Sequence, residues 1–405
     1  MKILLYVTGS ISCYKAYDLT RELTKKGSEV VVVLSSGAER FLRKELFTYL
    51  GASKCLGPHD DFSQSDILHI DLARWCDQMV IAPLSANTLG LLSHGQAPDL
   101  GTTIFLALES NKPCLVFPAM NSVMLEHPNV INNLSKLKSI NSTHVFPTMK
   151  GTLACGENGE GKLLSVENIV TLIQSYPTLK SSLKKRVLIS TGASINPLDD
   201  VRFITNPASG KTGEELAKKL LSEGHQVTAI FGGTNQSLFK SLYGHPNLSL
   251  ISATTTEDFY SKTMNEFSSC DVFVSSAALS DIEFSFSSGK MKKDQIKGSL
   301  PIRKSVDVLK NVLNQRDRKQ LIIGFAAETK LSQELMDQKL KSKPVDILVG
   351  TKVNSGISST SSRLAFGEEE ANYKIIQENK IIFDGHKTKS ALADFIHERI
   401  EQWFH

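Results

Sequence analysis

Six cysteines, Cys13, Cys55, Cys76, Cys114, Cys155 and Cys270, are scattered along the 405-residue chain with no C-x-x-C pair among them. That scatter excludes a zinc ribbon and a disulfide scaffold, and makes reduced cytosolic thiols the expectation. Excess charge is missing as well. The 46 Lys+Arg against 42 Asp+Glu leave a formal +4, too even for a nucleic-acid binder and better suited to small anionic ligands. No stretch approaches the roughly 20 apolar residues that span a bilayer. The apolar run Ile3 to Val7 is too short for a signal-peptide core and reads as a first strand. The expectation is a soluble, cytoplasmic protein with no nucleic-acid or membrane partner. The first glycine turn also lacks a G-x-G-x-x-G fingerprint, which argues against a dinucleotide and leaves a mononucleotide open.

Two similar openings are present. Lys2 to Thr8 is a short aliphatic run, followed by Gly9-Ser10, a helix-period segment ending at Lys25-Lys26-Gly27, and a second strand Val30 to Leu34. Glycine after two lysines is a helix stop, because it accepts the left-handed cap and cations suit a helix C-terminus. The same grammar returns at Arg186 to Thr191, with Gly192, a helix ending near Glu223-Gly224 and a strand Gln226 to Phe231. The second unit carries 14 additional residues between its glycines (32 positions against 18). An insertion there lies at the carboxyl end of the sheet, where open α/β sheets bind ligands. Two α/β domains follow, each an open Rossmann-like parallel sheet, with the boundary placed between Ser175 and Lys185. Near the end, Asn372 to Ile376 and Lys380 to Asp384 read as a hairpin, and Thr388 to Trp403 as a closing helix.

Several expected strands end in small polar residues: Thr8-Gly9-Ser10, Ser35-Ser36-Gly37, Pro83 to Thr88 and Pro118 to Asn121. Any one of these would cap a helix regardless of ligand. Their convergence on one sheet edge is what argues for a phosphorylated cofactor, with Gly9, Ser10, Ser35, Ser85, Asn87 and Thr88 as its candidate residues. In the second half, the glycine-rich loop Asn206-Pro207-Ala208-Ser209-Gly210-Lys211 precedes a helix, and freed backbone N–H groups with a nearby lysine favour a polyphosphate.

The series Gly9 to Ser12, His69 to Leu72, Pro83 to Thr88, Pro118 to Met124 and Gly151 to Glu157 resembles the phosphopantothenoylcysteine decarboxylases, which are FMN-dependent cysteine decarboxylases. The second half resembles phosphopantothenate-cysteine ligase, so the whole chain resembles the bacterial fusion of the two in coenzyme A synthesis. The resemblance implies a decarboxylase domain over 1–180 and a ligase domain over 186–405. It assigns His69 to proton handling, Asn121 to the substrate carboxylate, and Cys155 to a flap and the reductive half of the reaction. Decarboxylation needs an electron sink, which the family supplies by oxidising the thiol carbon with FMN. Departures from the pattern fall at Pro98, Leu125 and Ile282.

For the ligase half the resemblance implies an acyl-cytidylate from phosphopantothenate and CTP, which cysteine then takes up to give phosphopantothenoylcysteine. Asn206 matches the residue holding that intermediate, and Lys290 the first lysine of a flap that includes Lys292 and Lys293. Ser209, Gly210, Lys211, Ala277, Asp281, Phe325 and Ala326 match the nucleotide pocket, with Asp281 as the Mg2+ ligand because magnesium favours carboxylate and phosphate oxygens. The family's threefold and twofold contacts imply a homo-oligomer closing as a dodecamer.

Overall fold

The computed structural model describes the chain apart from residues 64–66, 141, 153, 155, 177–183, 236, 291, 293–300 and 354–367, and strand counts refer to the described residues. It divides into two compact units, Met1–Lys180 with Ser241–Pro246, and Ser181–Lys240 with Asn247–His405. The short segment Ser241–Pro246 thus groups with the first unit although it lies far along the chain.

The first unit is built on a parallel sheet of β1 (Lys2–Val7), β2 (Glu29–Leu34), β3 (Lys54–Leu56), β4 (Gln78–Leu84), β5 (Cys114–Pro118) and β6 (Thr143–Val145), in the order β3-β2-β1-β4-β5-β6. Because side chains alternate along a strand, Ile3, Leu5 and Val7 enter one core and Leu4 and Tyr6 the other. Helices cover both faces, which is why these strands read as continuous apolar runs rather than alternating ones. The order reverses between β1 and β4, making the switch point where such sheets bind ligands. An antiparallel pair, β7 (Met149–Thr152) and β8 (Asn158–Lys162), follows the sheet.

The second unit repeats that plan with β9 (Arg186–Thr191), β12 (Gln226–Phe231), β13 (Leu248–Ser252), β14 (Val272–Ser275), β17 (Leu321–Glu328) and β18 (Ile347–Lys352), ordered β13-β12-β9-β14-β17-β18. Two small antiparallel pairs are appended, β10 (Ile195–Pro197) with β11 (Phe203–Thr205), and β15 (Ile282–Phe284) with β16 (Ile302–Lys304). The hairpin expected near the end of the chain extends this parallel sheet. β19 (Glu370–Gln377) and β20 (Lys380–Thr388) add antiparallel to β18, since a two-residue turn at Glu378 and Asn379, with φ of 51° and 59°, can only return the chain as a hairpin. The final helix, Lys389–Phe404, packs along the helix Lys211–Ser222.

Candidate functional site

In the first unit the residues past β1 and β4 are tied together across the switch point. Thr8 Oγ1 donates to the Pro83 carbonyl at 2.7 Å and accepts from the Ser85 amide at 2.8 Å. Ser85 caps the helix Ala86–Ser93 by accepting from the Thr88 amide, and its Oγ lies 3.2 Å from Thr88 Oγ1. Ser10 and Ser12 hydroxyls stand 3.2 Å apart, and Ser35 accepts from the Ala38 amide at 3.2 Å. Asn87 is exposed beside this row. Gly9 approaches Gly37 so closely that a Cβ on Gly9 would stand 2.8 Å from the Gly37 Cα. Bare backbone flanked by hydroxyls, at a sheet edge, is a donor set that fits the phosphate of a mononucleotide such as FMN.

His69 lies in the first turn of the helix Leu68–Trp75, which runs back from the same carboxyl edge. Its amide donates to Asp61 Oδ1 at 3.1 Å, and its Nδ1 lies 2.6 Å from Asp61 Oδ2. A carboxylate there keeps the ring proton on Nδ1 and leaves Nε2 to exchange protons. Asp61 was not legible in the sequence, because an aspartate in a polar loop carries no signature of what it will touch eight residues on. Asn121 caps the short helix Ser122–Glu126 through Oδ1, while its Nδ2 donates to Glu157 Oε2 at 3.3 Å. Cys155, in the same Gly151 to Glu157 motif as Glu157, lies outside the described residues.

Two further features of this unit escaped the sequence reading. Lys15 is half-buried, and burial, with Lys162 nearby, lowers the pKa of its ammonium. Tyr6 donates to both oxygens of Asp99 at 3.0 and 3.1 Å, and burial first, then Asp99, holds the phenol well above its usual range. Asp99 also completes a capping box with Thr102. Pro98 therefore precedes an N-cap, and the cap itself is intact. Leu125 packs partly buried against the Tyr6 side of the core.

In the second unit the carboxyl ends of β9, β14 and β17 surround a cavity of about 590 Å³. Asn206, Ser209, Gly210, Ala277, Asp281, Phe325 and Ala326 all line it. The loop reaches this position because Gly210 adopts a left-handed φ of 75° as the N-cap of Lys211–Ser222, a conformation glycine takes without strain. Asn206 Nδ2 donates to the Ala278 carbonyl at 3.0 Å, fixing the amide against the end of β14. Asp281 is exposed at the rim, a single carboxylate of the kind Mg2+ uses alongside substrate phosphates.

Lys211 is not among the lining residues; its ammonium pairs with Glu369 at 2.7 Å. Lys290 and Lys292 are exposed and do not line the cavity either, and Lys293 lies outside the described residues. The start of their segment is nevertheless anchored, since the Gly289 amide donates to Asp200 Oδ2 at 2.7 Å. Ile282, the third departure, begins β15 at 40 % exposure, next to Asp281.

Cations that the sequence did not single out line the cavity instead: Lys339, Lys343 and Lys389. Lys339 pairs with Glu328 at 2.6 Å. Lys389 is 6 % exposed, donates to the Glu368 carbonyl, and has its pKa lowered chiefly by burial. Tyr373 also lines the cavity, with a buried hydroxyl lacking a partner among the described residues and a pKa raised by burial to about 12. These residues come from the antiparallel extension and the last helices, far from any glycine-rich motif.

Comparison with known proteins agrees with the two-part plan. The Flavoprotein family matches residues 1–177, and the DNA/pantothenate metabolism flavoprotein C-terminal domain matches residues 183–404. The coenzyme A biosynthesis bifunctional protein CoaBC of Bacillus subtilis (strain 168) is 33% identical over 360 residues, covering 87% of this chain and 86% of its own. That of Haemophilus influenzae is 29% identical over 413 residues, covering 99% and 97%. Among solved structures, a PPC decarboxylase mutant C175S complexed with pantothenoylaminoethenethiol is 33% identical, with a TM-score of 0.40, covering 42% of this chain and 95% of that one. With both halves matched in order and over most of its length, the chain belongs to the CoaBC family of bifunctional coenzyme A biosynthesis proteins.

Proposed function

We propose that the second unit joins phosphopantothenate to cysteine with CTP, through an acyl-cytidylate, and that the first unit decarboxylates the resulting phosphopantothenoylcysteine to phosphopantetheine with FMN. That the chain is a bifunctional enzyme of coenzyme A biosynthesis follows from its family. Supporting the finer reading of the ligase is the convergence of Asn206, Ser209, Gly210, Ala277, Asp281, Phe325 and Ala326 on one cavity. In this reading the backbone at Ser209 and Gly210 receives the triphosphate, and Asp281 holds Mg2+ against it. The Asn206 amide, braced on Ala278, orients the activated carboxyl. Lys290 and its neighbours bring positive charge to the departing pyrophosphate.

For the decarboxylase, Gly9, Ser10, Ser35, Ser85, Asn87 and Thr88 are the residues that would hold FMN. When bound, FMN supplies the two-electron oxidation of the substrate's thiol carbon and its later reversal. Asn121 donates its amide to the substrate carboxylate until CO2 leaves. His69, held through Nδ1 by Asp61, moves protons at Nε2, and Cys155 serves as the donor of the reductive half. Homo-oligomerisation and a cytoplasmic location belong to the same proposal. Nothing favours a role confined to one half, since the family match spans both.

The test is to incubate the purified chain with phosphopantothenate, cysteine, Mg2+ and either CTP or ATP, following acids and thiols by mass spectrometry. CTP-dependent phosphopantetheine is expected. Product with ATP alone would overturn the nucleotide assignment, and phosphopantothenoylcysteine that accumulates undiminished would overturn the activity assigned to the first unit.

A further inference from the structure

Away from both sites, the second unit gathers imidazole and carboxylate groups that neither activity uses. His225 stands in the turn between the helix Lys211–Ser222 and β12, fully buried. His397 and Glu401 lie one turn apart on the helix Lys389–Phe404. His225 Nε2 is 3.8 Å and His397 Nε2 3.6 Å from Glu401 Oε1, and the three ligand atoms all fall within 4.8 Å of one another. These separations exceed hydrogen-bonding distance. Each of the three atoms is buried without a hydrogen-bond partner among the described residues.

Buried polar atoms are nearly always paired, and three that converge without pairing call for a common partner. Hydrogen bonding among them would bring the atoms nearer, whereas ligands of one tetrahedral Zn2+, each bonded at about 2.0–2.1 Å, stand about 3.4 Å apart. The two distances to Glu401 Oε1 lie a few tenths of an ångström beyond that spacing. Two imidazoles and one carboxylate are also a donor set that a borderline divalent ion accepts. We propose that His225, His397 and Glu401 form a transition-metal site of the Zn2+ class, completed by solvent on the side of the partly buried Glu401.

The neighbouring cation Lys219 is engaged by Glu223 at 2.8 Å and Asp394 at 3.1 Å. One existing bond must change. The Lys185 amide donates to His225 Nδ1 at 3.1 Å, yet an imidazole that binds metal through Nε2 carries its proton on Nδ1. Loading therefore releases the Lys185 amide. The ion would clamp the last helix to the helix whose N-terminus carries Ser209 and Gly210, which makes it a structural brace rather than part of either reaction.

The full chain, stripped with a chelator and kept in Mg2+ buffer, is titrated with Co2+ and then Zn2+. Expected are one Co2+ per chain with tetrahedral d–d absorption to the red of any flavin band, displacement by Zn2+, a higher Tm with Zn2+, and faster exchange of the Lys185 amide. His397→Gln and Glu401→Gln keep the side-chain volume; each should weaken Co2+ binding at least tenfold and abolish the Zn2+ shift in Tm. Absence of saturable binding in the wild-type chain, or undiminished binding in both variants, overturns the site.

Discussion

The two units share one strand order and differ in the turn after the first strand. In the first, Thr8-Gly9-Ser10 passes into the 3₁₀ turn Ile11–Tyr14 and on to the helix Lys15–Lys25. In the second, the corresponding path runs from Gly192 through the β10–β11 pair to Gly210 before the helix begins. The short turn leaves the Gly9 backbone and the hydroxyls of Thr8, Ser85 and Thr88 together at the sheet edge. The long one builds a wall that carries Asn206, Ser209 and Gly210 around a cavity. The sheet determines where a ligand binds, and the length and chemistry of this turn determine how much of it can be enclosed. On the activities proposed above, a flavin phosphate would need a rim, and a triphosphate with a second substrate would need walls and cations.

If the two sites work independently, single substitutions should silence one without touching the other. The largest effect is expected at His69. His69→Ala should lower decarboxylation of supplied phosphopantothenoylcysteine by about 10²–10⁴-fold, the usual worth of a positioned acid or base, with ligation unchanged. Asp61→Asn should cost about 10²-fold or less in kcat and alter the pH profile, because the ring remains but its proton is no longer held on Nδ1. A parallel loss of ligation would break the comparison.

The reverse experiment is Asn206→Ala. Loss of one preorganised donor is worth about 10²–10³-fold, and the variant should lose that much ligation, followed as pyrophosphate release, while still decarboxylating supplied phosphopantothenoylcysteine. A fall in decarboxylation would mean that the long turn supports more than its own cavity.

How far these sites could be read beforehand differs between the units for a physical reason. Strand-end motifs were legible because a parallel sheet delivers them to one edge whatever the intervening sequence: Ser35, Ser85 and Ala277 arrive there by topology alone. The repeated opening was legible too, down to the inserted residues that became β10 and β11. Residues contributed by tertiary packing were not. Lys389 looks like the start of an ordinary surface helix until the antiparallel β19 and β20 bring it to 6 % exposure at the cavity. Lys211, conspicuous in its glycine-rich loop, instead pairs with Glu369, a partner 158 positions away that no local pattern could indicate.

A smaller effect should come from the floor of the first site. Gly9→Ala places a methyl group 2.8 Å from the Gly37 Cα, where both neighbours are backbone and cannot rotate away. Overpacking of this kind costs about 1–3 kcal/mol, and the variant should show a lower Tm together with weaker FMN retention on dilution. Retention equal to the wild type, at the same lowered Tm, would mean that the close approach of the strand ends serves packing rather than cofactor binding.

The finest comparison uses the cysteines as reporters of local opening. Cys114 is buried in the first unit and Cys270 in the second. Burial is the first cause of the raised pKa in both: Cys270 moves to about 12, and Cys114 higher still. Cys76 and Cys55 are pushed to about 11 and 12. Alkylation proceeds through the thiolate, so at neutral pH each of these holds well under about one part in a thousand in the reactive form. Native iodoacetamide treatment read by peptide mass spectrometry should therefore leave Cys76, Cys114 and Cys270 unmodified. In rising urea, Cys114 and Cys270 should appear separately if the units open independently, since labelling of a buried thiol waits on the unfolding of the structure around it. Their simultaneous appearance would make the two units a single cooperative body, and the independence assumed for His69 and Asn206 would then need to be shown for chemistry rather than inherited from folding.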